Sequence, residues 1–433
     1  MSEETIRDIV SGFKAQQWRS KPLDKALRLA VEAPESLASF ARASMAELPQ
    51  GGTFLHAALA YLPEGDWPGL AQAAVTHLQA NPENEAAAAV ISYASLQCVQ
   101  ALHPFLTELF AVHAWFTTYY AVYPWRESGS RHVPFLEAQL RTAAGPPSGG
   151  ALSRRSRDGD PRMRALHCLM ETREPDALTL ARTAAPSLGL APAQIEELLH
   201  LVDYEVEDGQ FRCLVPPVVR HLQFEDGYVD RLEYLSEWSF PTWETPGAEE
   251  RGYRFGGVLP GSCGVCGGAL HHLLTLDPIP EGLGVTGLPH LALATCLSCL
   301  GYEEGVLYFQ HDPAGAPTAW PPRAGQHAPE FPSPPLQETR VAVWETSRRW
   351  QWQDWALSNS RENLNRLGGH PCWIQSAEYP SCPGCRRTMP FLMQLDSELQ
   401  LEDGSSLLWG SGGIAYLFWC DGCRVSASRW QCT

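Results

Sequence analysis

Eight of the 13 cysteines stand in Cys-x-x-Cys pairs, and their spacing is the clearest chemical signal in the chain. Cys382-Pro-Gly-Cys385 and Cys420-Asp-Gly-Cys423 are separated by 34 residues, Cys263-Gly-Val-Cys266 and Cys296-Leu-Ser-Cys299 by 29. A Cys-x-x-Cys turn points two sulfurs at one spot and lets backbone N–H groups bond to the thiolates. Two such turns at the ends of neighbouring strands complete a tetrahedral four-sulfur site. The spacing therefore predicts two structural zinc ions, one on Cys263, Cys266, Cys296 and Cys299, the other on Cys382, Cys385, Cys420 and Cys423. A four-cysteine zinc is coordinatively closed, which leaves no position for a reacting water. A thiol oxidoreductase is the competing chemistry, but redox dithiols usually stand alone at a helix N-terminus, unlike four pairs beside strand-like runs. The chain has no His-Glu-x-x-His helix, no Gly-x-Ser-x-Gly elbow and no phosphate-cradling glycine loop. The expectation is a protein that is not an enzyme.

The elements that must position these cysteines occur twice. Arg254-Phe-Gly-Gly257 precedes the first set and Arg366-Leu-Gly-Gly369 the second. In each set an Asp, Asp277 or Asp396, follows the second cysteine by 11 residues and closes a mostly apolar segment. Such self-similarity suggests an internal duplication, with two similar β-rich halves packed as one domain. In the first apolar segment, His271 and His272 are adjacent, so strand alternation places at most one of them inward. Cys98, Cys168, Cys213, Cys372 and Cys432 stand outside the Cys-x-x-Cys motifs and are expected as buried small apolar residues. Cys432 is close enough in sequence to the second set to be a spare ligand, but is not assigned as one.

At 433 residues, with 44% hydrophobic and 19% charged residues, the chain can form two folded domains. The opening Met1-Ser-Glu-Glu lacks the layout of a signal peptide. Together with the paired cysteines it predicts a reducing, cytoplasmic setting. Residues 1–203 read as helical. Leu37, Phe40, Ala41, Met45 and Leu48 recur at helical steps and stop at Gly51-Gly52. Trp67, Leu70, Ala71, Ala74, Val75 and Leu78 do the same between Asp66 as N-cap and Asn81-Pro82. Asp24-Lys-Ala-Leu-Arg-Leu-Ala30 is echoed by Asp176-Ala-Leu-Thr-Leu-Ala181. This pattern suggests a HEAT-like solenoid, with a compact bundle as the alternative. Residues 105–125 read as a buried helix, and residues 143–160, with Arg154, Arg155 and Arg157, as a solvated loop.

From Asp203 the pattern changes to short strands and turns, with Asp203, Glu205, Glu207 and Asp208 forming an acidic hinge. The halves fall at about 204–312 and 338–433. Residues 313–337 hold eight prolines and are expected to be an irregular connector. Trp344, Trp350, Trp352 and Trp355 open the second half, and burial against the sheet is the expectation over a binding platform. The fold class is α+β: an N-terminal α-helical, HEAT-like domain, then a duplicated β-rich domain containing zinc ribbons.

Four stretches carry a resemblance: Arg366-Leu-Gly-Gly-His-Pro-Cys-Trp-Ile-Gln, Cys382-Pro-Gly-Cys385, Phe391-Leu-Met-Gln-Leu-Asp396 and the run from Gly413 to Cys420. Together they resemble the bacterial YwqG-like domain family. The doubled layout also resembles the eukaryotic programmed-cell-death-two proteins, regarded as chaperones of a ribosomal protein. Some bacterial members are regarded as immunity proteins that neutralise toxins. The resemblance covers the second set well, the first more weakly and the helical region not at all. It implies a pseudo-symmetric β-rich domain and a role as immunity protein or client-specific chaperone. The first set has Val258-Leu-Pro where the second has His370-Pro-Cys-Trp-Ile-Gln, so a function tied to that segment belongs to the second alone.

The net charge of −17 is uneven. Residues 1–200 hold 21 acids and 17 bases, and residues 201–433 hold 28 acids and 15 bases. A ribbon-bearing half at −13 repels phosphates, which places a zinc-ribbon nucleic-acid binder below a protein-binding module. The acids between Asp203 and Glu250 point instead to a basic protein partner.

Overall fold

In a computed structural model, residues 3–15, 20–50, 55, 58–112, 122–142, 160–225, 227–229, 251–299, 305–320, 332–358 and 362–433 are described. The chain divides into two compact units, Met1–Val202 and Asp203–Thr433. Among the described residues no helix is long and apolar enough to cross a membrane. The loop arginines Arg154, Arg155 and Arg157, the stop at Gly51-Gly52 and all the acids from Asp226 to Glu250 lie outside the described residues.

The first unit is helical because its apolar residues recur on single faces. Helix α1 (Glu3–Ala15) buries Ile6, Ile9, Val10 and Phe13, while α2 (Ser20–Glu32) buries Leu27 and Ala30. Helix α3 (Leu37–Glu47) buries Leu37, Phe40, Ala41 and Met45, and α4 (Trp67–Ala80) buries Trp67, Leu70, Ala71, Ala74, Val75 and Leu78. Asp66 takes the N-cap position of α4 without a side-chain capping bond, and the helix stops at Asn81. The next helix, α5 (Glu85–Gln97), is rich in small residues and buried from Ala86 to Gln97. Its N-cap, Asn84, accepts from Ala87 N at 2.9 Å and donates to Met45 O at 2.8 Å. The apolar stretch 105–125 is not one helix. Helix α6 (Leu106–Ala111) is short, Val112 is extended, and Tyr123–Trp125 forms a separate turn that sets Trp125 edge-on to Phe110.

The second unit is built on a 12-stranded sheet. Its first residues form a separate hairpin, β1 (Tyr204–Glu207) and β2 (Gln210–Cys213). The acids here are not a hinge. Glu205 and Glu207 pair with Arg212, Glu207 pairs also with Arg387 at 2.7 Å, and Asp203 is buried. An alternating strand with Gly209 at its turn forms a hairpin more readily than an open linker.

The large sheet contains β3 (Val219–Gln223), β4 (Arg251–Phe255), β5 (Val258–Ser262), β6 (Ala269–Leu276), β7 (Leu291–Thr295), β8 (Leu307–His311), β9 (Pro317–Trp320), β10 (Thr339–Glu345), β11 (Arg366–Gly368), β12 (Phe391–Asp396), β15 (Ile414–Cys420) and β16 (Val425–Gln431). A small side hairpin joins β13 (Leu399–Gln400) to β14 (Ser406–Leu407). The large sheet runs β5-β6-β4-β10-β3-β11-β12-β15-β16-β8-β9, with β7 on the other edge of β6. It does not divide at the proline-rich stretch. Strand β10 leaves the second set to pair with β4, and β3 leaves the first to pair with β11. The two exchanged strands pair with each other antiparallel, Leu222 opposite Val343. The stretch 313–337 is also not wholly irregular: β9 lies within it, its Pro317 heading an edge strand, where a missing N–H is tolerated. The sheet nearly closes, since Ala292 N donates to Gly315 O at 3.1 Å and Thr295 Oγ1 meets Ser428 Oγ at 3.0 Å.

The exchange explains the two Gly-Gly motifs. Gly256 and Gly368 both hold positive φ, +79° and +65°. A Cβ on Gly256 would lie 2.2 Å from Gln337 O, just before β10, and one on Gly368 would lie 2.1 Å from Val218 O, just before β3. Each motif is the place where one set's strand turns against the chain entering from the other. Gly368→Ala is expected to destabilise the second unit by at least ~2 kcal/mol, from left-handed strain plus displacement of Val218. Gly404→Ala, with positive φ but open space, separates the two costs. Denaturant unfolding of both variants measures the difference.

Candidate metal centres

Each Cys-x-x-Cys pair sits where a strand begins or ends. Cys263–Cys266 is the turn between β5 and β6, and Cys296–Cys299 follows β7, the neighbour of β6. Cys382–Cys385 precedes β12, and Cys420–Cys423 joins β15, the neighbour of β12, to β16. The leading turns are built alike. Cys263 N donates to Gly268 O at 2.8 Å and Gly267 N to Cys263 O at 2.9 Å; Cys382 N donates to Arg387 O at 2.8 Å and Arg386 N to Cys382 O at 2.9 Å.

The structure brings the eight cysteines together as two groups of four, Cys263, Cys266, Cys296 and Cys299, and Cys382, Cys385, Cys420 and Cys423. In each group all sulfurs lie within 4.8 Å of one another. Close contacts within the groups include Cys263–Cys299 and Cys266–Cys296 at 3.5 Å and Cys385–Cys420 at 3.6 Å. A disulfide needs about 2.0 Å. Four sulfurs tetrahedrally placed about 2.3 Å from one ion lie about 3.8 Å apart, so both groups fit a four-sulfur metal centre. In the first group, hydrogen bonds from Cys296 and Cys299 hold the Cys263 thiol down to about 2. Their donors move the other way, Cys296 up to about 12 and Cys299 upward too, since each loses that bond on ionising. A divalent cation would take the place of those shared protons. Backbone donors add to the charge balance: Val265 N and Gly268 N each lie 3.4 Å from a sulfur.

The groups differ in exposure. All four cysteines of the first are buried, at 0–3%. In the second, Cys382 is buried, Cys420 and Cys423 are half-buried and Cys385 is exposed. Cys432 is not part of this group. Of the other cysteines outside the Cys-x-x-Cys turns, Cys168 and Cys372 are buried, Cys98 is half-buried, and Cys213, expected inside, is exposed at the end of β2.

Supporting bonds reach each trailing turn from elsewhere. His271 and His272 are both buried, so the expectation of one inward side chain fails. Strand β6 is covered on both faces, and its register shifts between His272 and Leu274. His271 Nδ1 accepts from Leu297 N at 3.1 Å, inside the Cys296–Cys299 turn, and its Nε2 faces Ser333 O at 3.1 Å. His272 bonds Gly256 O and Thr275 Oγ1. At the second group, Asp421 accepts from Thr286 N at 2.8 Å and Trp419 Nε1 at 3.0 Å, and Gln310 Nε2 donates to Cys423 O at 2.8 Å.

Motif reading missed a buried polar network on the second set. Arg366 is fully buried. It donates to Gln351 O, Gln353 Oε1, His370 O and Cys372 Sγ. His370 lies flat on Trp352, with centroids 3.9 Å apart, and bonds Asp203, which also accepts from Tyr379 Oη at 2.6 Å. Trp350 and Trp352 are buried, while Trp344 and Trp355 are half-buried. After Gly257 the first set makes β5; after Gly369 the second set runs over the core, where Trp373 and Ile374 pack. The only signal of this in the sequence was the contrast of Val258-Leu-Pro with His370-Pro-Cys-Trp.

No profile of a known protein family and no solved structure matches the chain. It is similar to an uncharacterized protein, YpfL, of Salmonella typhimurium, with 28% identity over 184 residues. The match covers 40% of this chain and 39% of that protein, so the chain spans about two fifths of its relative's length.

The network sets a pH dependence. His221, between Gln353 Oε1 at 3.1 Å and Thr346 Oγ1 at 3.0 Å, is pushed down to about 4 by burial and then by the Arg366 charge. Its unfolded value is near 6.5. A depressed histidine gives its full contribution above 6.5 and loses it as pH falls toward 4, by about 1.4 kcal/mol per unit at most. Asp396, raised to about 7 by burial, acts in the opposite direction. Wild type and His221→Gln share that term and any metal term. The stability gap between them, measured by denaturant at pH 7 and pH 5, is expected to shrink at pH 5; a constant gap contradicts the assignment.

Proposed function

We propose that this chain is a non-enzymatic protein-binding module whose β-rich unit is held by two structural zinc ions. The observation that carries the reading is the pair of four-cysteine groups with sulfurs within 4.8 Å. All-sulfur donors favour zinc over harder cations, and a closed four-sulfur shell serves folding rather than turnover. On this reading Cys263, Cys266, Cys296 and Cys299 hold one ion, and Cys382, Cys385, Cys420 and Cys423 the other. The ions pin the turns that begin β6 and β12 to those that end β7 and β15. The β-rich unit is an internal duplication: the repeated Arg-x-Gly-Gly strands, the matched turns and the reciprocal exchange of β3 and β10 support it. The helical unit, read as HEAT-like, supplies an extended surface for the partner.

The partner is a basic protein, and the role is that of an immunity protein or a client-specific chaperone. The −13 balance of residues 201–433 supports this. The hairpin acids Glu205 and Glu207 are already paired with arginines, so the attraction must come from the remaining acids. Pull-down from the native host is expected to recover a basic protein at low salt and to lose it as the Debye length falls below about 8 Å. An acidic partner, or indifference to salt, contradicts the electrostatic argument.

Zinc content is the direct test of the metal reading. Elemental analysis of the purified full chain is expected to give two zinc ions. Cys385→Ser is expected to lose one and to unfold strands β12, β15 and β16, since structural zinc is worth on the order of 10 kcal/mol. Less than one zinc per chain overturns the reading.

A further inference from the structure

The two four-cysteine groups are alike in spacing and turn geometry but not in access. The first is sealed: Cys263, Cys266, Cys296 and Cys299 are 0–3% exposed, and Leu297 and Ser298 between the last two are buried as well. A further bond closes it over, from Ser333 N to Ser298 Oγ at 3.0 Å. The second group lies open on one side. Cys385 is exposed, as are Gly384 and Arg386 beside it, and Gly422 is exposed between the half-buried Cys420 and Cys423. The exposed Cys385 sulfur is 3.6 Å from that of Cys420, on the opposite turn.

We infer that the second group is an oxidant-responsive thiol site, with Cys385 and Cys420 the pair that a hydroperoxide converts to a disulfide, releasing that metal ion alone. The inference rests on the zinc reading above. Oxidation of a thiolate needs the oxidant to reach the sulfur along a line, which burial prevents at the first group and exposure permits at Cys385. The Cys385 sulfur attacks one peroxide oxygen: an S–O bond forms, the O–O bond breaks and hydroxide leaves. The Cys420 sulfur then attacks the sulfenic sulfur; an S–S bond forms and a second hydroxide leaves. The two sulfurs lose two electrons and the peroxide gains two. Cys382 and Cys423 alone hold the ion too weakly to retain it.

The response has a route into the fold. The Cys420–Cys423 turn is bonded to chain from before the proline-rich stretch: Asp421 to Thr286, and Cys423 O and Arg424 O to Gln310 on β8. Losing the second ion therefore loosens the β16–β8 junction, while β6 and β7 keep their metal.

The full chain, loaded with zinc and counted before use, is treated with hydrogen peroxide, and released metal is followed with a colorimetric chelator. One zinc equivalent is expected to appear roughly tenfold or more faster than the other, with peptide mapping placing a new disulfide between Cys385 and Cys420. Cys213→Ser with Cys432→Ser removes the other accessible thiols of this unit and is expected to release zinc at the wild-type rate. Release of both ions together, release from the first group first, or oxidation confined to Cys213 and Cys432 with both ions retained overturns the inference. So does a double variant whose release falls to the slow rate. A starting count below two zinc ions is a separate failure, that of the metal reading itself.

Discussion

Four thiolates cannot share a space 4.8 Å across unless protons or a cation offset their charge, and both cysteine groups meet that constraint. In the first group, the pull between Cys263 and its neighbours is what sharing protons among close sulfurs produces. A divalent ion satisfies all four sulfurs at once, where protons satisfy them only in pairs. The strands then follow: turns that present paired sulfurs must end β7 and β15 beside the starts of β6 and β12. The antiparallel pairings β6–β7 and β12–β15 place them so.

The second constraint is backbone pairing across the unit. Because β3 joins β11 and β10 joins β4, neither set completes its own sheet. The Gly-Gly motifs are the contact points of that exchange, with a carbonyl from the incoming chain occupying the space of an absent Cβ. The second cysteine group is tied in the same way, through Thr286 and Gln310. Its stability and that of the sheet seam are therefore one quantity rather than two.

The cysteine groups and the helical start were legible because they rest on local periodicity: helical steps in α1, α3 and α4, and fixed spacing within each Cys-x-x-Cys. What the sequence did not show was non-local. Nothing in Thr339–Glu345 marks β10 as a partner of β4, since strand exchange changes the neighbour and not the pattern. Eight prolines hid β9, because Pro317 sits where an edge strand needs no donor. The acids at Asp203, Glu205 and Glu207 read as a hinge because their partners lie across a hairpin, at Arg212, or far along the chain, at Arg387 and His370. His271 and His272 defied alternation because β6 is covered on both faces, a property of the nearly closed sheet and not of the strand.

The claim that the fold rests on two four-sulfur zinc centres is tested most directly by X-ray absorption at the zinc edge on the purified full chain. The account predicts a first shell of four sulfur atoms at about 2.3 Å for the whole zinc population, with no lighter scatterer. Nitrogen or oxygen atoms in that shell, or three sulfurs in place of four, would contradict it.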